Sequence, residues 1–223
     1  ASEILAGAMK DYGRAVIVGS PNSFGKGTVQ TFVELNRFLN SNDDFGALKL
    51  TIQKFYRING KSTQLKGVEA DIPMKDVYGY EEIGERFDNF ALPWDQVNTT
   101  TFTALDNSKN TGLAKKSENR LAQNKNYQLL LESAQWREKL DKEEKISLNI
   151  KDFEALMKER KAQIEKFKPL LKYNNGLTFT LHPDEVTRGK KDEVFAKKSD
   201  NWIKNLKRDI YLQETVNIIS ELK

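Results

Sequence analysis

Charge is unevenly spread along this chain. Residues 1–75 carry 10 Lys and Arg and 7 Asp and Glu, whereas residues 76–223 carry 26 and 25. A segment so rich in alternating charges cannot be buried on all sides, so the second part must fold as solvated, amphipathic elements. The first part has fewer charges and short apolar runs, the composition of layered structure. Two domains are expected, at 1–75 and 76–223, within the 223 residues. The near balance of charge in the second part argues against a nucleic-acid surface, which needs a clustered basic excess. No apolar run approaches the ~18 residues of a membrane-spanning helix.

Composition narrows the chemistry further. The chain has no cysteine and one histidine, His182. Disulfides, thiolate metal sites and a cysteine nucleophile are excluded, and neither a Ser-His-Asp triad nor a multi-histidine metal site has its parts. No cofactor or metal is expected, and a general base in this chain is not imidazole. Zero cysteine suits oxidising and reducing compartments alike, so it assigns neither.

In the first part, Ile4, Leu5, Ala8 and Met9 recur at helical spacing, which predicts a helix over Ser2 to Tyr12 closed by Gly13 as a left-handed cap. Ser2 is read as its N-cap, with Glu3 in the first turn. Ala15-Val16-Ile17-Val18, bounded by Gly19, reads as a buried strand. Thr28 to Leu35 and Leu48 to Ile58 read as strands, the second alternating Leu48, Leu50, Ile52 against Lys49, Thr51, Gln53. Between them, 36–46 is a polar loop containing Asn40 to Asp44. Asn59-Gly60 marks a turn before an extended stretch through Val68 and Ile72.

The second part reads mostly as helix. A thin apolar stripe within Leu113 to Leu140 predicts a solvated helix or helix pair. Ile150 to Leu171 gives a second helical face and Trp202 to Leu222 a third, while Leu177 to Leu181 alternates like a short strand. His182, followed by Pro183, is read as an exposed loop histidine. The fold class is therefore mixed α+β: an α/β core portion with short strands and one N-terminal helix, then a mainly helical domain.

The segment that bears on chemistry is Phe24-Gly25-Lys26-Gly27-Thr28-Val29-Gln30. It fails the phosphate-loop pattern GxxxxGK[ST], with Ser20 at the leading glycine and Gly27 after the lysine, and a β-branched run follows instead of a helix. Two uses of Lys26 remain open. It is an ordinary lysine at a glycine turn, or an ammonium desolvated beside Phe24 and Val29, whose neutral form can act as a base toward a hydroxyl. Gln30 shares its face on an extended strand, but about 13 Å away along the backbone, so a bulge at Gly27 or the full reach of the lysine is needed for contact.

Several stretches together resemble the tail-specific, or C-terminal processing, proteases: Ala1-Ser2-Glu3-Ile4, Met9 to Ala15, Phe24 to Gln30, Thr51 to Arg57, Lys66-Gly67-Val68 with Asp71-Ile72, Asn89 with Ala91 to Asp95, and Glu214 to Ile218. The resemblance covers nearly the whole chain. It implies a bacterial serine endopeptidase, periplasmic or otherwise extracytoplasmic, using a Ser-Lys pair and acting on proteins with apolar C-terminal tails; an adaptor protein is a further expected partner, through the docking surfaces described below. It implies Lys26 as general base, Gln30 as its supporting residue, and Asp11 as an aspartate important in some members. Asp11 lies about 16 Å along a helix from the expected serine position, so a structural role is preferred for it. The family pattern puts the nucleophilic serine immediately before Ala1, and its PDZ domain has no counterpart here; the expectation is an incomplete and inactive piece of a longer protein. One residue is inserted within Ser20 to Ser23 relative to the family spacing. The rival expectation is a non-catalytic helical binding or scaffolding module, with Trp94, Trp136 and Trp202 available for docking.

Overall fold

The computed structural model describes residues 1–38, 43–106 and 110–222. The chain forms two compact units, one of Ala1–Pro73 with Glu82–Lys109 and one of Met74–Glu81 with Asn110–Lys223. The class is mixed α+β, with seven α-helices and short strands in two small sheets among the described residues. None of the described helices is long and apolar enough to cross a membrane.

In the first unit, helix α1 spans Ser2–Asp11. Its end is a Schellman motif: the N–H of Gly13 donates to Lys10 O at 3.0 Å and that of Arg14 to Met9 O at 2.8 Å, with Gly13 at φ 64°. A side chain at that φ is strained, which is why glycine ends the helix there. The helix start differs from expectation, because Ala1 is the N-cap, Ser2 is already helical, and no side chain caps it. Glu3 is instead drawn away to a distant loop, described below.

The buried strand expected over Ala15 to Val18 is reduced to β1, Val18–Gly19, half-buried and paired in parallel with β4, Ile72–Pro73. Pairing with one neighbour over two residues is too little to enclose it. The two expected strands are present as β2, Thr28–Glu34, and β3, Ala47–Lys54, which pair antiparallel as a hairpin, with the second ending before Ile58. The register runs from Thr28↔Lys54 to Glu34↔Ala47 and shifts between Val29 and Gln30, leaving Ile52 as the extra residue of a bulge. The alternation in β3 predicts one buried face, yet Leu48, Leu50 and Ile52 stay 41–57% exposed. Residues 39–42 of the expected polar loop lie outside the described residues; at its rim Asn36 accepts from Phe45 N and donates to Asp43 O. Gly60, at φ 80°, forms the expected turn. The centre of this unit joins Val68 and Ile72 to Ser62, Thr63 and Gln64, a buried polar group whose hydrogen bonds must all be made internally.

The second unit is helical: α2 Leu113–Gln123, α3 Lys125–Asp141, α4 Ile150–Leu171, α5 Pro183–Gly189, α6 Glu193–Lys207 and α7 Ile210–Glu221. The breaks come from side-chain caps that satisfy orphan amides. Asn124 accepts from Asn126 N and Tyr127 N and so makes the stretch a helix pair, α2 and α3, of the two expected alternatives, and Asp209 accepts from Leu212 N to separate α6 from α7. Leu113, Leu121, Tyr127, Ala134, Ile210 and Ile218 form the core, each apolar side chain contributing about 1.5–3 kcal/mol by burial. Glu214, 3% exposed, is held by a bidentate Arg120, which in turn reaches Glu221. Leu177 to Leu181, expected to alternate like a short strand, forms none. His182 is exposed, as expected, and caps α5 in a capping box with Glu185.

Candidate active site

The site is built from the loop 23–27 that leads into β2. Lys26 and Gly27 precede β2, and a register shift between Val29 and Gln30 interrupts the strand's regular pairing. Lys26 Nζ donates to Gln30 Oε1 at 2.9 Å. The irregularity that accompanies this contact lies between Val29 and Gln30, not at Gly27. Lys26 is half-buried. Its expected apolar walls are open to solvent, Phe24 being 51% and Val29 40% exposed, so these two side chains do not dry the ammonium in this chain.

The main chain around the lysine is tied down. One carboxylate, that of Glu3 in α1, accepts from Ser23 Oγ, from Gly25 N at 2.7 Å and from Lys26 N at 3.0 Å. Ser23 Oγ in turn accepts from Val68 N at 2.7 Å. The loop thus presents amides to an anion, but the anion is its own Glu3, and Gly27 N is taken by Gln64 Oε1 at 2.8 Å. No amide of residues 25–27 is left for a phosphate, which agrees with the failed phosphate-loop pattern.

Asp11 is brought close to neither Lys26 nor Gln30 by any hydrogen bond. Its carboxylate accepts from Arg57 Nε at 2.8 Å, from Arg57 Nη2, and from Asn59 Nδ2 at 3.0 Å. The side chains of Asp11 and Arg57 are 6% and 13% exposed, a nearly dry fork-to-fork pair anchoring the end of α1 to the turn at Asn59-Gly60. The same Arg57 side chain lies at 3.4 Å from where a Cβ would stand on Gly7, so α1 packs closely on it.

A second polar cluster ties the end of β3 to the segment before residue 96. Lys54 Nζ donates to Asp95 Oδ1 at 2.7 Å and Tyr56 OH to Asp95 Oδ2 at 3.0 Å. The Lys54 hydrogen bond holds the Asp95 carboxyl below the usual aspartate range, and desolvation, aided by Asp95, pushes the Tyr56 phenol up. Trp94 Nε1 donates to Ser62 O at 2.9 Å, and Lys66 Nζ stands 3.6 Å over its ring.

Sequence reasoning picked out Lys26, Gln30 and Asp11 but missed Ser23, Thr63 and Gln64, and it saw Glu3 only as a first-turn acid. Glu3, Thr63 and Gln64 reach the loop across 20 to 37 positions, and Ser23 within it is held by Glu3 and Val68; no periodicity or spacing signals such pairs. The glycines flanking Lys26 were the available sign. A Cβ on Gly25 would meet Leu65 C at 2.9 Å, and one on Gly27 would meet Gln64 N at 2.6 Å.

Residues 1–74, which include Lys26, match Peptidase family S41, a class of peptidases. Residues 78–223 match the C-terminal domain of tail specific protease (DUF3340), and the chain belongs to the tail-specific protease family. It is 47% identical over 108 residues to the "Tail-specific protease" of Haemophilus influenzae, covering 48% of this chain and 15% of that one. It is 43% identical over 86 residues to the "Carboxy-terminal-processing protease" of Bartonella bacilliformis, 36% of this chain and 18% of the relative. A "Probable CtpA-like serine protease" of Staphylococcus aureus is 30% identical over 171 residues, 77% of this chain and 30% of the relative. The matched regions span less than a third of the length of each of these relatives.

Proposed function

We propose that the intact protein is a serine endopeptidase in which Lys26 is the general base, supported by Gln30, and that it degrades or processes proteins from apolar C-terminal tails in the periplasm or another extracytoplasmic space of a bacterium. The observation that carries this reading is the Lys26 Nζ to Gln30 Oε1 hydrogen bond at 2.9 Å, on a loop fixed by Glu3 of α1. On this reading the serine stands just before Ala1, next to the helix whose Glu3 holds the lysine loop. One short element thus links nucleophile and base.

The chemistry needs the lysine as its free amine. The serine oxygen attacks the scissile carbonyl carbon while its proton passes to Lys26 Nζ; collapse of the tetrahedral adduct breaks the C–N bond, and the leaving amine takes that proton. Water then attacks the acyl-enzyme and gives a proton to Lys26; the ester C–O bond breaks, releasing the new carboxyl terminus, and the serine oxygen takes that proton, which leaves Lys26 as the free amine. Gln30, a pure acceptor toward Nζ through Oε1, aims the amine without competing for its lone pair.

The test is cleavage of an unfolded protein with an apolar C-terminus by this chain, by the chain extended upstream, and by the extended chain with Lys26→Ala. Activity confined to the extended form and lost in Lys26→Ala is the expected result. Activity that survives Lys26→Ala refutes the assignment. A second reading, that the helical unit is a docking module for an adaptor or the protease body, is favoured by α4, where Ile150, Phe153, Met157, Ile164 and Leu171 are 42–65% exposed. Inactivity of every form, with the helical unit still binding the remainder of the protein, would favour that reading.

A further inference from the structure

Lys26 can deliver its amine to one point only if its backbone is fixed, since a lysine side chain has four rotatable bonds beyond Cα. Four main-chain polar groups flank Lys26, and each has a partner. On the N-terminal side, Gly25 O accepts from Leu65 N at 2.8 Å and Lys26 N donates to Glu3 at 3.0 Å. On the C-terminal side, Lys26 O accepts from Thr63 Oγ1 at 3.2 Å and Gly27 N donates to Gln64 Oε1 at 2.8 Å. Both peptide planes that bound the lysine are thus held at each end. Three of the four holds come from Thr63, Gln64 and Leu65, on a turn tight enough to put Leu65 at φ 64°.

Gln64 differs from its neighbours because its hold is itself anchored. The residue is 0% exposed, and its Nε2 donates to Glu85 Oε1 at 3.2 Å. The carboxylate fixes which way the amide points, since a flipped amide would set oxygen against oxygen at Glu85 and nitrogen against N–H at Gly27. We infer that Gln64, oriented by Glu85, is a positioning residue that fixes the Lys26–Gly27 peptide and through it the direction of the lysine amine. The inference rests on the reading of Lys26 as general base.

The test uses the full-length protein and steady-state kinetics per titrated active site. Gln64→Met keeps the volume and removes both hydrogen bonds; kcat is expected to fall by about 10- to 100-fold with KM within about twofold, the pattern of a misaligned catalytic group. Gln64→Glu sets a carboxylate against Glu85 and is expected to be as impaired. Combining it with Glu85→Gln reverses the pair, restoring an acceptor for Gly27 N and a donor at position 85, so kcat should return to within about threefold of the parent. A merely structural role would lower the number of active sites and leave kcat per site unchanged. Wild-type kcat in Gln64→Met overturns the inference. Should that variant fail to fold, the Gln64→Glu pair decides: no recovery in the folded double variant overturns it. Lys26→Ala, assayed alongside, separates the two claims. Retained activity there sinks the base assignment itself, whereas loss there with wild-type kcat in Gln64→Met sinks only the role of Gln64.

Discussion

Gly27→Ala probes the contact on which the site geometry depends. The added methyl would stand 2.6 Å from Gln64 N and 2.7 Å from Ser62 Oγ. Ordinary contact begins at 3.4 Å, so one main chain must retreat by about 0.8 Å. Gly27 does not have a left-handed φ, so the cost is steric. Overpacking costs about 1–3 kcal/mol, and separating the Gly27 amide from buried Gln64 Oε1 adds about as much, together about 2–5 kcal/mol. A retreat of that size at the lysine should lower kcat by about 10²-fold. Trp94 is a local reporter of stability, since it donates to Ser62 O and lies under Lys66. With Trp136→Phe and Trp202→Phe in the background, urea unfolding followed by its fluorescence should show a midpoint lower by about 1 M or more. Gly189→Ala, where the methyl would meet Ala196 Cβ at 3.6 Å, is the control and should change neither quantity. Parental midpoint and kcat in Gly27→Ala would refute the close approach of residues 62–64 to the lysine loop.

Two further outcomes follow from buried or paired charges. Asp11→Ala strands the Arg57 guanidinium, 13% exposed, and should cost about 3–5 kcal/mol in urea unfolding; a parental midpoint with abolished turnover would instead make Asp11 a direct participant in catalysis. Asp95 has its pKa lowered by Lys54 from the ordinary 3.8, so in acid the unfolded chain binds a proton before the native one does. The stability this contributes is present above pH ~4 and is lost as pH falls through the lower, folded value. Asp95→Asn should therefore lose stability less steeply than the parent below pH 4 in acid titrations followed by Trp94 fluorescence, and identical acid limbs would refute the pairing.

What the sequence made legible is what local rules encode. Gly13 closes α1 because a left-handed residue is needed there, and Asn59-Gly60 turns for the same reason. The β2–β3 hairpin is readable from β-branched alternation, yet its burial is not, because alternation reports an amphipathic strand and not whether anything covers it. The Ala15 to Val18 run shows the converse: its apolar composition predicts a buried strand, but strand length is set by how much partner main chain is within reach, here two residues of β4.

The site divides along the same line. Lys26 and Gln30 were visible through family resemblance, whereas their contact, with Lys26 just before β2 and a register shift between Val29 and Gln30, is not written in the spacing. The four holds on the lysine backbone come from residues 3, 63, 64 and 65, which no local pattern links to position 26. Only their shadow is local: a lysine between two glycines, neither of which has room for a methyl. Glycine on both sides of a charged residue is costly in chain entropy and is retained where another backbone must come close. The flanking glycines of Lys26 therefore report that something presses on the lysine loop, and the main chain of Gln64 and Leu65 is what the fold places there.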